Sequence, residues 1–169
     1  TRLTKAHPHS AGILRVFLPL LEARLKLVET LAAPELPPLD ASTFAQGKPW
    51  VPAVDVPLGA DLLKKAPKIL AKAAAKGLPE QAEGCNALGA YLGKHPTEAG
   101  FLTRAHLEGR PRKITEWAKK HGFDKPIVTL LAAHLAGTAA ALVKRAAKGV
   151  TLPAWSGTRC PLCGGAAQA

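Results

Sequence analysis

The apolar residues of this chain recur at spacings of three and four, and prolines and glycines interrupt the pattern. The longest such stretch is predicted to run from about 125 to 148, after Asp124 and with Pro126 in its first turn. Asp is a preferred N-cap residue, and Pro is favoured at the start of a helix. Its inward stripe comprises Ile127, Leu130, Leu131, His134, Leu135, Thr138, Leu142 and Val143. A period of 3.6 residues restricts the chain to a helical fold.

Five further stretches show the same period, at 11–31, 58–76, 79–92, 96–107 and 112–120. Ser10 is a candidate N-cap for the first of them. Pro19 predicts a kink in the first stretch, and Pro67 predicts a break or a second start in the next. No stretch alternates apolar and polar residues over enough positions to predict a strand. We therefore predict an all-α bundle of about six helices.

The segment 33–57 separates the first two helices and contains six prolines. Proline removes a backbone donor and clashes with the preceding turn, so the segment is predicted to lack regular helix. Connections of this length are unusual unless they are functional or disordered. Phe44, Trp50 and Val54 predict that this one packs against the rest of the protein.

The formal charge of +11 indicates an acidic partner, which is nucleic acid, anionic lipid or an acidic protein face. Two basic clusters stand out: Lys64, Lys65, Lys68, Lys72 and Lys76, and then Arg110, Arg112, Lys113, Lys119 and Lys120. Trp117 is the one aromatic residue within these clusters, and this scarcity of stacking platforms weakens single-strand nucleic-acid recognition. No apolar run reaches the roughly 18 residues of a membrane span. With neither a secretory signal nor a disulfide framework, we expect a cytoplasmic protein.

The strongest motif lies near the end of the chain, in Arg159-Cys160-Pro161-Leu162-Cys163-Gly164. Two thiolates with two residues between them can bind one zinc or iron ion, and we favour metal ligation by Cys160 and Cys163. A thioredoxin-like redox pair and two incidental thiols are the alternatives. Tetrahedral sites normally take four ligands, so the pair is half of a site.

Other candidate ligands are scattered through the chain. Cys85 and His134 are predicted to be core residues, because both lie among apolar neighbours at helical spacing. The remaining histidines are a local pair and three helix-terminal or surface residues: His7, His9, His95, His106 and His121. Glycine-rich phosphate loops, nucleophile elbows and paired His-Glu motifs are absent from the sequence, so we predict no catalytic residues and no enzyme activity.

The order of these features resembles the formate dehydrogenase accessory protein family (FdhE type). A helical region containing Pro37-Pro38-Leu39-Asp40 leads into a long final helix. Trp155 then precedes the Cys-Pro-Leu-Cys-Gly motif. In that family a helical domain is followed by rubredoxin-like modules, and the first module opens with such a knuckle. The resemblance extends over most of the chain in the order of its elements, and the knuckle and the Leu-Asp segment match as motifs.

The resemblance implies a helical domain at 1–150, then a linker and the first half of a metal module at 151–169. By resemblance, Cys160 and Cys163 are the first two ligands of the first metal site. Family members continue with further Cys-x-x-Cys pairs, so we expect zinc or iron in a longer, full-length parent and little or no metal in this truncated chain. The implied role is a chaperone that binds the catalytic subunit of a molybdenum or tungsten formate dehydrogenase and assists its maturation. A nucleic-acid-binding protein with a zinc ribbon and a thiol redox protein are the alternatives.

Overall fold

The computed structural model describes residues 11–157 and 159–164 of the chain. Over these residues the protein forms seven α-helices, a short 3-10 turn at Pro79–Gln81 and no strand, so the all-α prediction is confirmed. The helices are α1 Ala11–Thr30, α2 Ala41–Ala45, α3 Ala60–Gly77, α4 Ala82–Lys94, α5 Pro96–Leu107, α6 Pro111–His121 and α7 Lys125–Ala146. The predicted cap Ser10 and the pair His7 and His9 lie outside the described residues.

Helix α7 lies in the core, and it is the helix that the sequence predicts best. The carboxylate of Asp124 accepts a hydrogen bond from the Ile127 N–H at 3.1 Å, which confirms the predicted N-cap. The helix ends at Ala146, slightly earlier than expected. Contrary to the expectation that no stretch is long and apolar enough for a membrane span, α7 could cross a membrane by length and composition, with a mean hydropathy of 1.8. However, 61% of that window is buried inside the protein, as in the central helix of a bundle.

Two expectations about proline are wrong. Helix α2 forms within the proline-rich segment 33–57, because Ala41 to Ala45 contains no proline and Asp40 caps it. Hydrogen bonds to the Asp40 carboxylate, the first from the Ser42 hydroxyl, lower the pKa of Asp40. Helix α3 is continuous through Pro67, which is buried. The burial of this face against neighbouring helices outweighs the hydrogen bond that proline removes, a penalty of about 3 kcal/mol.

Helices α3 and α4 pack very closely because glycines leave room for the facing backbone. A Cβ atom added at Gly89 would lie 3.0 Å from the Pro67 carbonyl oxygen and would collide with the Ala71 Cβ. At Gly93 it would meet the side chain of Lys68. The sequence spacing of these glycines predicts such a close crossing. Gly77 allows a similarly close approach of two backbones where the end of α3 crosses α1.

Arginine side chains tie distant segments to the bundle. The Arg145 guanidinium on α7 donates to the carbonyl oxygens of Val28 and Leu31, at the C-terminal end of α1. These carbonyls have no partner within the helix, and a cation there also suits the helix dipole. Arg104 on α5 donates to the Val54 carbonyl at 2.5 Å and to the Val56 carbonyl at 3.3 Å. Segment 33–57 is therefore attached to the helical core.

Candidate functional site

The cysteine pair is packed against the proline-rich segment 33–57, which we call the bracket. The backbone N–H of Trp50 donates to the Pro161 carbonyl at 2.9 Å, and that of Val51 donates to the Leu162 carbonyl at 2.8 Å. Cys163 is only 5% exposed and belongs to the hydrophobic core, whereas Cys160 is half-buried. The bracket thus holds the pair at the edge of the helical bundle.

Aromatic residues fix the bracket and the tail to each other. The Trp50 indole N–H donates to the Pro37 carbonyl at 2.8 Å, which closes the bracket on itself. Phe44 is buried, and its ring centroid lies 4.8 Å from that of Trp155. The Trp155 indole N–H donates to the Arg159 carbonyl at 3.0 Å. Phe44 and Trp50 therefore pack as predicted, whereas the Val54 side chain is 50% exposed.

The residues between the two cysteines form a tight turn. The Gly164 N–H donates to the Cys160 carbonyl at 2.8 Å, and Gly164 has a φ of +65°. A Cβ atom at Gly164 would also lie 2.9 Å from the Pro49 Cγ atom. Both the left-handed backbone and the contact with the bracket require glycine at this position.

The structure does not bring the other candidate ligands to this pair. Within residues 11–157 and 159–164, no group of three or more His, Cys, Asp or Glu side chains is arranged to hold a metal ion. Cys85 is fully buried in α4, as predicted, and burial raises the pKa of its thiol, with smaller contributions from Asp124 and Glu80. His134 is 6% exposed on α7, also as predicted for a core residue. The donor set in the described residues is therefore two thiols, half of a tetrahedral site.

A groove of about 620 Å³ lies beside the turn, between the bracket and the tail. Its lining includes Trp155, Gly164 and bracket residues such as Pro49 and Pro52, and Arg110, Glu108 and Arg159 add charges. Neither cysteine lines the groove, but its lining residues Arg159 and Gly164 flank the pair in the sequence. The sequence pattern did not predict it, because its walls come from three separate parts of the chain.

The first basic cluster forms one continuous surface, which we call the lysine face. Lys64, Lys68, Lys72 and Lys76 are each four residues apart on α3, and all are exposed together with Lys65. At 100° per residue, these five side chains cover about a third of the helix circumference. The one ion pair found here in the described structure joins Lys65 to Asp61 at 2.9 Å, and both side chains are exposed. The lysine face therefore keeps a strong positive charge.

The second basic cluster is not a comparable surface. Arg110 pairs with Glu108 at 2.7 Å, and Glu116 lies on α6 between Lys113 and Lys120. Helix α6 instead contributes to an aromatic stack that sequence reasoning missed. His121 stacks on Trp117 with ring centroids 4.4 Å apart, and the His121 Nδ1 atom lies 3.0 Å from the Tyr91 hydroxyl. The i, i+4 spacing of Trp117 and His121 was the available signal.

Known proteins add no assignment to this arrangement. Comparisons with family models, with curated proteins and with solved structures find no match for the chain.

We expect the chain by itself to bind zinc or iron weakly, because two thiolates leave two coordination positions to water. Titration with Co²⁺ or Zn²⁺ monitored by absorbance and calorimetry should give an affinity at least about a thousandfold below that of a four-ligand site. Cys160→Ser should remove the remaining binding, whereas Cys85→Ser should not change it. A stoichiometric ion held tightly by the purified monomer would contradict this prediction.

Proposed function

We propose that this chain is an accessory protein that binds the catalytic subunit of a formate dehydrogenase and assists its maturation. The observation that carries the proposal is the Cys-Pro-Leu-Cys-Gly turn held by the bracket at the edge of a helical domain. Its two backbone hydrogen bonds to Trp50 and Val51 fix the pair relative to the bundle. The segment with the Leu39-Asp40 motif belongs to the same bracket, because Pro37 accepts the Trp50 indole hydrogen bond. The two motifs that resemble the accessory family are thus parts of one local structure.

Cys160 and Cys163 would be the first two ligands of a zinc or iron ion. Cys163 is buried against the bundle and Cys160 is half-buried, so the remaining two ligands would approach from the exposed side of Cys160. A bound metal would link the helical domain to whatever supplies those ligands. In this role the metal is structural, since it would orient a binding surface.

The lysine face is the surface that best fits an acidic partner subunit. Its five lysines project from one face of α3, and a single acidic side chain, Asp61, is paired within it. Complementary charge accelerates encounter and fixes orientation more than it raises affinity. We therefore assign the lysine face to the first contact with the catalytic subunit.

Charge reversal should separate the two basic clusters. We expect the triple variant Lys64→Glu, Lys68→Glu and Lys72→Glu to slow association with the purified catalytic subunit by about tenfold or more at low salt. The matched triple Arg112→Glu, Lys113→Glu and Lys119→Glu on α6 changes the net charge equally and should have a smaller effect. Stopped-flow or surface plasmon resonance measurements over a range of salt concentrations test this. Equal slowing by both triples would refute the assignment to α3.

Nucleic-acid binding is the second candidate, because the lysine face would also suit a phosphate backbone. Titration of the chain against the catalytic subunit and against duplex and single-stranded nucleic acid at physiological salt distinguishes the two. Nucleic-acid binding would fall steeply as salt rises, since counterions are released. Tight binding to nucleic acid with no measurable affinity for the enzyme subunit would overturn the leading proposal. A thiol redox role is less well supported, because redox pairs lie at a helix N-terminus, whereas Pro161, Leu162 and Cys163 form a turn.

A further inference from the structure

A cleft of about 560 Å³ lies between the beginning of α3 and the beginning of α5. Its lining is mostly apolar, and the largest apolar side chains are those of Leu58, Leu63, Pro96 and Phe101. Leu58 and Leu63 are partly buried against the core, and Phe101 is 39% exposed. Ligand sites in proteins typically have volumes of about 300–1,000 Å³. The cleft therefore presents apolar surface in a concave form that side chains of another molecule can fill.

Both charged residues that line this cleft are cations. The Arg104 guanidinium is held in place, because it donates to the carbonyl oxygens of Val54 and Val56. Lys64 is exposed on the α3 side of the cleft. Within the described structure, no carboxylate forms an ion pair with Arg104 or Lys64. The cleft therefore combines an apolar lining with uncompensated positive charge, which favours an acidic ligand.

Two other clefts of the described structure lack this combination. The cleft beside Trp117 contains two glutamates as well as two lysines. The cleft beside Asp124 contains two further glutamates and neither lysine nor arginine. The cleft between α3 and α5 is therefore better suited to an acidic ligand than either of these.

The cleft continues into the lysine face of α3. Lys64 belongs to both, and Lys68 follows it one turn further along the helix. A Cβ atom added at Gly93 would lie 3.2 Å from the Lys64 carbonyl oxygen and would also meet the side chain of Lys68. This edge of the lysine face therefore lies beside the end of α4, which leads directly into α5. A segment that covers the cleft can place acidic residues next to these lysines.

We propose that this cleft binds an acidic segment of a partner protein, with the apolar residues of the segment in the cleft and its carboxylates beside Lys64 and Lys68. Apolar anchors in a concave site typically contribute most of the binding energy of an interface, and complementary charges around them fix the orientation. A phosphate backbone would pair with the lysines but would leave the apolar lining uncovered, so a protein segment fits this site better than nucleic acid does.

The identity of the partner rests on the proposed accessory function, which makes it the catalytic subunit. The cleft adds the chemistry of the contact to that function: the lysine face attracts the subunit, and the cleft retains it through apolar anchors. Loss of an anchor should therefore accelerate dissociation, whereas loss of lysines should mainly slow association.

Fluorescence anisotropy of a labelled peptide tests the cleft without the enzyme subunit. The peptide has about twelve residues, with leucines at every third or fourth position and glutamates between them, as in helical segments that bind grooves. We expect the full chain to bind this peptide at least about tenfold more tightly than a scrambled peptide of the same composition. Equal affinities for the two peptides would overturn the proposal, because charge alone would then account for the attraction.

Two pairs of variants test the position of the bound peptide. Phe101→Ala should weaken its binding by about fivefold or more, whereas Ile69→Ala, at a residue of α3 that is 43% exposed and does not line the cleft, should change it by less than about twofold. Lys64→Glu should weaken binding more than Lys76→Glu, which changes the net charge equally but lies about 18 Å further along α3. Circular dichroism confirms that the variants are folded. Equal effects within either pair would overturn the proposal.

Competition with the purified catalytic subunit separates this proposal from the accessory function. We expect the subunit to displace the labelled peptide, and we expect Phe101→Ala to accelerate dissociation of the subunit by about fivefold or more. A subunit that binds the chain without displacing the peptide would overturn the cleft as its docking site and leave the accessory function standing. A subunit that does not bind would refute the accessory function, and the peptide measurements would then decide on the cleft by themselves.

Discussion

Replacing Gly77 with Ala should destabilise the fold by about 2–3 kcal/mol, because the added methyl group has no space. Its Cβ atom would lie 2.7 Å from the Val16 Cα atom and 2.9 Å from the Val16 carbonyl oxygen. Both of these atoms belong to the backbone of α1, so no side-chain rotation relieves the contact. Helices α1 and α3 must separate, and the apolar contacts around Leu20 and Leu70 loosen with them.

A second helical glycine provides the control for this substitution. At Gly100 on α5, an added Cβ atom would lie no closer than 3.6 Å to a neighbouring atom, the Leu63 Cδ1. Gly100→Ala should therefore raise the free energy of unfolding by up to about 1 kcal/mol, as alanine does in a helix. Urea denaturation followed by circular dichroism measures both variants. Equal free energies of unfolding for Gly77→Ala and the wild type would show that α1 does not approach α3 this closely at Gly77.

The sequence predicts those parts of the fold that depend on local pattern. Helix α7 has an N-cap, a proline in its first turn and a regular apolar stripe, and the structure places it as expected. The glycine spacing in α4 similarly predicts a close helix crossing, which the structure contains at Gly89. In each case the signal lies within one element, so it can be read without knowledge of the partner.

Expectations failed where tertiary contacts override local preference. Pro67 disfavours a continuous helix, yet α3 runs through it because its buried face packs against α4. Val54 is apolar, yet its side chain is half exposed and only its carbonyl is held, by Arg104. A sequence pattern shows neither a long-range arginine contact nor the free energy that a neighbouring helix contributes.

The candidate site also has some features that the sequence predicts and others that depend on tertiary contacts. The residue types and spacing of Cys160 and Cys163 are visible in the sequence. Their placement is not, because it depends on hydrogen bonds from the backbone of Trp50 and Val51, and backbone donors leave no side-chain signature. The groove cannot be predicted from the sequence either, because its lining residues are far apart in the chain. The spacing of the pair can therefore be read from the sequence, but its attachment to the bracket cannot, and metal ligation by the pair stays a prediction.

The buried histidine of α7 should make the protein less stable in mild acid. His134 lies beneath Phe17, and its Nδ1 atom has no hydrogen-bond partner among the described residues. Burial lowers the pKa of His134 from its ordinary value of 6.5 to about 4, and the nearby charges of Arg24 and His106 act in the same direction. Burial also lowers the pKa of His106 on α5. The folded protein therefore resists protonation of this cluster.

The direction of the pH dependence follows from the difference between the folded and unfolded states. Above about pH 6.5 His134 is neutral in both the folded and the unfolded state. Its protonation therefore does not affect the free energy of unfolding in this range. As the pH falls from 6.5 towards 4, the unfolded chain takes up a proton that the folded protein excludes, so the free energy of unfolding decreases. This difference in the pKa of His134 corresponds to a decrease of about 2–3 kcal/mol in the free energy of unfolding, if the protein relaxes slightly around the protonated ring.

Substituting His134 with Leu should remove most of this pH dependence between pH 6.5 and 4, because leucine cannot be protonated. Urea unfolding at a series of pH values measures the slope of the free energy of unfolding against pH. This slope is independent of any change in packing that the leucine introduces. His106→Gln provides a comparison. It should reduce this slope by less than His134→Leu does, because His106 is only half-buried. Parallel curves for His134→Leu and the wild type would mean that carboxylates, which titrate at the lower end of this range, control the acid sensitivity of the fold.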